Sequence, residues 1–258
     1  MKKFIVSIAV AFLLSACTDY LAEYKDEYGN SFANVNDAQV GDPGTTIPDN
    51  SGDTPIEDPD TTAPDDFNGV LTDSRDGQVY KTITIGSQIW MAKNLNYETA
   101  DSYCYGDDAS NCTSYGRLYS WPLSVGKTDA ECGWNVSCTL PAVVQGICPS
   151  GWHLPSAAEF ETLIAAAGGE SSAGKALKSK SGWFNDGNGS DAYGFSAYPG
   201  GNRGSNSRYV SKGSSAFFWT STMVDENRAK GVSIGTSASI SVATKDKTMK
   251  YSVRCIKD

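Results

Sequence analysis

The sequence predicts a loop-rich α+β domain with short strands, one or two helices and three disulfides, and three observations lead there. Six cysteines, an even number, fall between Cys104 and Cys255. One stretch, Pro155 to Ala167, carries a clear helical period. The remaining apolar residues come in short runs bounded by glycine and polar residues, with no internal repeat.

The chain divides into a signal (1–16), a lipidated start with an acidic tether (17–68) and a compact domain (69–258). Lys2 and Lys3 precede an apolar run, Phe4 to Leu14, too short to span a bilayer and of the length of an export signal. Leu14-Ser15-Ala16-Cys17 resembles the lipobox of bacterial lipoproteins, which makes Cys17 the acylated mature N-terminus. The alternative is an ordinary export signal with an incidental cysteine. Several acyl chains meet the two-signal requirement for lasting attachment. Thr18 in place of an aspartate favours the outer membrane, with the domain at the cell surface or on the periplasmic face. No other segment approaches the roughly 20 apolar residues of a spanning helix.

Charge follows the same division. The net charge is -9, but the tether holds thirteen acids against Lys25 alone, while residues 69–258 hold eighteen Lys and Arg against seventeen Asp and Glu. Runs such as Asp58-Pro59-Asp60-Thr61 have too few apolar groups to offset ordering entropy, so a disordered, self-repelling spacer is expected. About 50 such residues reach roughly 40 Å on average. A neutral domain behind an acidic tail lacks the basic stripe that nucleic acid requires.

In an exported chain, Cys104, Cys112, Cys132, Cys138, Cys148 and Cys255 read as disulfides. Fifteen pairings exist and sequence alone does not choose. Loop length favours Cys104 with Cys112 and Cys132 with Cys138, each around a short polar loop, which leaves Cys148 with Cys255. The short loops would contribute roughly 2–3 kcal/mol each and the long one about 4–5 kcal/mol. A zinc site needs C-x-x-C spacing or several histidines, and His153 is the single histidine; no metal site is assigned.

Gln78 to Ile85 alternates, with Val79, Ile83 and Ile85 on one face, and Gly86-Ser87 turns it back into Gln88 to Met91, a hairpin. Tyr103 to Trp121 shows no helical period and reads as a loop held by its disulfide. In the helix, Ser156 and Glu159 have capping-box spacing. Phe160, Leu163, Ile164 and Ala167 form its apolar stripe, and Gly168-Gly169 ends it. A weaker helix runs from Ala173 to Lys178. Short strands follow at Phe217–Thr220, Gly231–Ile234, Ala238–Ala243 and Tyr251–Ile256.

Several ordered blocks then carry a resemblance. They begin with Asp76-Gly77-Gln78-Val79-Tyr80, Gln88-x-Trp90-Met91-Ala92-x-Asn94-Leu95 and Gly116-Arg117-Leu118-Tyr119-Ser120-Trp121. Cys148-Pro149-x-Gly151-Trp152-His153-Leu154-Pro155 follows, then Gly194-Phe195-Ser196-Ala197-x-Pro199-Gly200-Gly201, Phe218-Trp219-Thr220-Ser221 and Ser252-Val253-Arg254-Cys255. Over 69–258 the chain resembles the Fibrobacter succinogenes major paralogous domain. The resemblance implies a fold related to the C-type lectin-like and formylglycine-generating-enzyme group. That family has no established activity, so a fold is implied more firmly than a function.

Candidate chemistry is sparse. Formylglycine-generating enzymes use a pair of redox thiols, and Arg254-Cys255 matches only the last of them. His153, beside Trp152 and Leu154, reads as a satisfied, partly buried histidine rather than a base. No G-x-S-x-G surrounds a serine, and no catalytic residue is assigned. Calcium is the one cofactor to weigh. The lectin Glu-Pro-Asn and Gln-Pro-Asp motifs are absent, and Asp186 to Asp191 offers alternate oxygens but would close a twelve-residue loop on Ala197, which cannot coordinate.

What remains is aromatic surface. Trp90, Trp121, Trp152 and Trp219 read as core, whereas Tyr103, Tyr105, Tyr115, Tyr193, Tyr198 and Tyr209 fall in loops. Rings stack on sugars and anchor protein partners. Trp183, Asn185 and Asp186, with Tyr198, are the expected ligand contacts. The expected function is a cell-surface lipoprotein with a lectin-like module for a glycan or cell-wall polymer. The alternative is a structural or protein-binding module of the envelope, and an oxidase of the formylglycine-generating type ranks third.

Overall fold

A computed structural model describes residues 69–258 of the chain. The export signal, Cys17 and the acidic tether lie outside the described residues. Strand β1 (Val70–Thr72) pairs antiparallel with β2 (Val79–Ile85), which turns at Gly86-Ser87 into β3 (Gln88–Met91). Gly86 sits at φ +60°, the left-handed conformation that the first residue of such a tight turn demands.

The segment expected to be loop is partly helical. Helix α1 (Ala109–Tyr115) is capped by the Asp108 carboxylate, which accepts from the Ser110 N–H at 2.9 Å, and is tied back by the Cys104–Cys112 disulfide. Its sequence, Ala-Ser-Asn-Cys-Thr-Ser-Tyr, has no apolar stripe. A cap and a covalent tie supply what periodicity does not.

Strand β4 (Tyr119–Ser120) leads into two single-turn helices, α2 (Trp121–Ser124) and α3 (Asp129–Cys132), then β5 (Trp152–His153). Helix α4 (Ala157–Ala166) starts on the expected capping box. Ser156 Oγ accepts from the Glu159 N–H, and the Glu159 carboxylate accepts from the Ser156 N–H at 2.7 Å. The weaker helix forms as α5 (Ala173–Leu177). Beyond it lie β6 (Gly200–Arg203), β7 (Tyr209–Lys212), β8 (Ala216–Met223), β9 (Arg228–Ile234) and β10 (Ile240–Asp246). The last expected strand is broken in two, β11 (Lys250–Tyr251) and β12 (Ile256–Lys257).

Three sheets result, in the orders β1-β2-β3-β12-β5, β4-β11-β6-β7 and β10-β9-β8. The break in the final strand is a change of sheet. β11 lies between β4 and β6, and β12 between β3 and β5. Between them Ser252 exchanges hydrogen bonds with β8, and the Val253 carbonyl accepts from Leu95 N–H. Helices are few and strands short and antiparallel, so the domain is α+β. Its disulfides are Cys104–Cys112, Cys132–Cys138 and Cys148–Cys255.

Two apolar clusters form the core. One gathers Trp90, Phe160, Phe195 and Phe218 under helix α4, with Trp90 and Phe160 ring centres 4.9 Å apart. The other gathers Tyr119, Trp121, Trp152, Trp219 and Tyr251. Two lysines are buried with them. Lys178 Nζ donates to the carbonyls of Thr236 (2.7 Å), Ser237 (2.8 Å) and Gly235 (3.3 Å) in the β9–β10 turn. Lys247 Nζ lies over the Trp121 ring and donates to the carbonyls of Glu226 and Val136. Burial pulls both ammonium groups below the ordinary lysine value.

Candidate functional site

Strand β2 has two environments along one face. Alternation places Val79, Lys81, Ile83 and Ile85 on the same side. Ile83 and Ile85 enter the core, but Val79 is 60% exposed, although alternation puts it on the same apolar face as those two. At that outer end the sheet leaves a cavity of about 750 Å³. Val79, Lys81 and Ile83 line it from β2, Ala92 and Lys93 from the chain after β3, and Ser196 and Tyr198 from the opposite loop. A second cavity of about 410 Å³ shares Lys93 and Tyr198 with the first and continues past Thr113, Tyr115 and Ser181. The two adjoin as one groove. Tyr198, half-buried, stands where they meet.

The loop that carries Ser196 and Tyr198 is braced from behind by Arg254, which is fully buried. Its guanidinium donates to the carbonyls of Phe195 and Ser196 and, through Nε (3.1 Å) and Nη2 (2.5 Å), to Asn94 Oδ1. Its plane lies 4.2 Å from the Phe195 ring centre. Asn94 in turn donates to the Tyr115 carbonyl at 2.8 Å. Burial pulls the Arg254 guanidinium down to about 9, against the opposing pull of Asp191. Both walls of the groove thus hang on one buried cation. Ser196 is also held from outside, donating from its hydroxyl to the Asp191 carboxylate at 2.5 Å.

Trp183 is not a surface contact. It is 5% exposed, packs in the cluster of Trp90 and Phe218, and its Nε1–H donates to Ser179 Oγ (3.1 Å) and the Ala197 carbonyl (3.2 Å). An indole closed in on itself in this way has no free face to offer. Asn185 and Asp186 are exposed at positive φ (53° and 55°), but they line neither cavity. Of the four expected ligand contacts, the structure brings only Tyr198 to the groove. The neighbouring oxygens weighed for calcium are occupied internally: Asn188 Oδ1 accepts from Trp183 N–H, and Asp191 holds Ser196.

Other loop tyrosines form a separate patch. Tyr105 and Tyr209 ring centres lie 5.2 Å apart, Arg203 covers Tyr103 at 4.1 Å, and Lys212 approaches Tyr105 at 5.2 Å. Cations of the chain itself sit over these faces. Among the described residues none sits over the rings of Tyr115 or Tyr198. Lys81, Lys93 and Tyr115 were not singled out in the sequence as contacts. Local signal was absent for the lysines, since the groove forms only when residues more than a hundred positions apart meet.

His153 is 7% exposed, with Nδ1 2.7 Å from Asp258 Oδ1 and Nε2 2.8 Å from Glu159 Oε1. Both ring nitrogens are engaged. Burial opposes ionisation of Glu159, but the bonds from Ser156 N–H, His153 and the Ser156 hydroxyl outweigh it and hold the carboxyl below its ordinary value.

Among known families, the model of the Fibrobacter succinogenes major domain matches residues 83–257. No curated protein and no solved structure matches the chain.

Proposed function

The chain belongs to the family of the Fibrobacter succinogenes major domain, and from that premise we propose that it is a lipid-anchored envelope protein whose domain binds a glycan or cell-wall polymer. The observation that carries this reading is the groove at Tyr198: two adjoining cavities with two uncapped tyrosine rings, several hydroxyls and two lysines along their walls. Sugars are recognised by that combination, a flat ring face for the apolar side of a pyranose and short polar side chains for its hydroxyls. A path through two cavities suits a chain of sugars better than a single one.

The lectin-like part of the reading draws support from the order of elements. A capped helix follows Leu154-Pro155, Trp219-Thr220-Ser221 lies in strand β8, and Arg254-Cys255 closes the domain through its disulfide to Cys148. The anchor rests on the lipobox-like run ending in Cys17. The acidic tether then serves as a spacer between lipid and domain.

The test presents the mature chain to a panel of soluble and insoluble polysaccharides. Tyr198→Ala and Tyr115→Ala should each weaken the bound sugar by about ten-fold, while Asn185→Ala and Asp186→Ala leave affinity unchanged. Silence across the panel would turn the assignment towards a structural or protein-binding envelope module. Metabolic labelling with a fatty acid checks the anchor, and the label should vanish in Cys17→Ser.

A further inference from the structure

We propose that the groove selects an anionic saccharide, one whose carboxylate or sulfate groups meet Lys81 and Lys93. The inference rests on the glycan reading above and names the class of sugar. Lys81 and the chain at Ala92-Lys93 are neighbours: the Ala92 N–H donates to the Lys81 carbonyl at 2.8 Å. Both lysines are exposed, both line the larger cavity, and Lys93 also lines the smaller one. Among the described residues, no Asp or Glu lines either cavity. In a domain whose charges nearly balance, a groove with two cations and no anion is a local excess.

Asp191, the acid bonded to the groove wall, is already spent on the N–H and hydroxyl of Ser196. Its charge therefore fixes the wall rather than neutralising the lysines. Hydroxyl-bearing Thr113 and Ser181 line the smaller cavity beside Lys93. Apolar flanks at Val79, Ile83 and Ala92 lower the local dielectric, so each ammonium attracts an anion more strongly than it would on an open surface. The geometry thus combines ring, hydroxyl and cation, the set that a uronate or sulfated sugar unit satisfies and a neutral one does not.

Calorimetric titration of the full mature chain decides it, with three oligosaccharides of equal length: oligogalacturonate, a sulfated galactan fragment and a neutral galactan fragment. Polyglutamate serves as an anion without sugar. One or both charged sugars should bind at least about ten-fold tighter than the neutral one, and about 0.5 M salt should remove most of that advantage. Lys81→Gln with Lys93→Gln should bring the charged sugars down to the neutral level while leaving the neutral one in place. Which of the two prefers the groove identifies carboxylate or sulfate as the group recognised. Equal binding of neutral and charged sugars, an unchanged preference in the double variant, or polyglutamate binding as tightly as the sugars would overturn the proposal and leave the glycan reading standing. Absence of binding to all three sugars would overturn both.

Discussion

Arg254 shows how much one side chain can hold. It is buried without a carboxylate against it, and its charge is shared among Asn94, two carbonyls and two aromatic faces. A lysine keeps the charge but not the planar fork that spans Asn94 and the 195–196 carbonyls. Arg254→Lys should lower stability by about 2–4 kcal/mol, read from the urea midpoint, and loosen the groove wall as well. Trp183 carries a different lesson. Trp90 and Trp219 were legible as core because they sit in apolar runs, Ile89-Trp90-Met91 and Phe217-Phe218-Trp219. Trp183 lies between Gly182 and an exposed Phe184, with Asn185-Asp186 next, and its burial depends on Ser179 and on Ala197, fourteen residues away. Local composition therefore pointed outward while the tertiary partners drew the ring in. Trp183→Ala should cost about 3–5 kcal/mol by chemical denaturation. A variant of native stability would overturn the buried assignment.

Elements were most readable where chemistry is local. The capping box of α4 forms as Ser156 and Glu159 spaced it, and the Gly86-Ser87 hairpin likewise, because both need only residues within one turn. Helix α1 was illegible for the complementary reason, its stability coming from Asp108 and a disulfide rather than from a stripe. The cap also gives a pH dependence. The ordinary carboxyl value is 4.5, and in the folded chain that of Glu159 lies lower. The unfolded state therefore takes up its proton first, so stability is complete above 4.5 and drains away as pH falls through the depressed folded value. Glu159→Gln removes that proton-linked term. Thermal midpoints of the variant and the parent, followed from pH 6 downwards, should converge as the medium becomes acidic (model-peptide glutamate titrates near 4.3); a gap that stays constant would rule the linkage out.

Over the whole molecule, covalent and noncovalent closure coincide. The Cys148–Cys255 bond joins the chain before β5 to the segment that passes from one sheet to another, beside Arg254. Its loop is the longest of the three, and the combined Cys148→Ser, Cys255→Ser variant should lose about 4–5 kcal/mol. Calorimetry under non-reducing conditions measures it, and the loss should exceed that from opening Cys104–Cys112. The six cysteines and their short loops were readable in the sequence. The three-sheet arrangement was not. It depends on pairings such as Ile256 with both Trp90 and His153, which no local pattern encodes.

The carbonyl cage around Lys178 and the aromatic bed of Lys247 also turn the protein into its own reporter. Both side chains are 1% exposed, with their nitrogens closed in by backbone oxygens. A reagent that acylates amines should mark the outward lysines, Lys81 and Lys93 among them, within seconds, and reach these two only when the domain opens. Peptide mass spectrometry over a labelling time course would then read the opening rate directly from two internal positions. Early acylation of Lys178 in the native protein would show that its turn breathes independently of the rest.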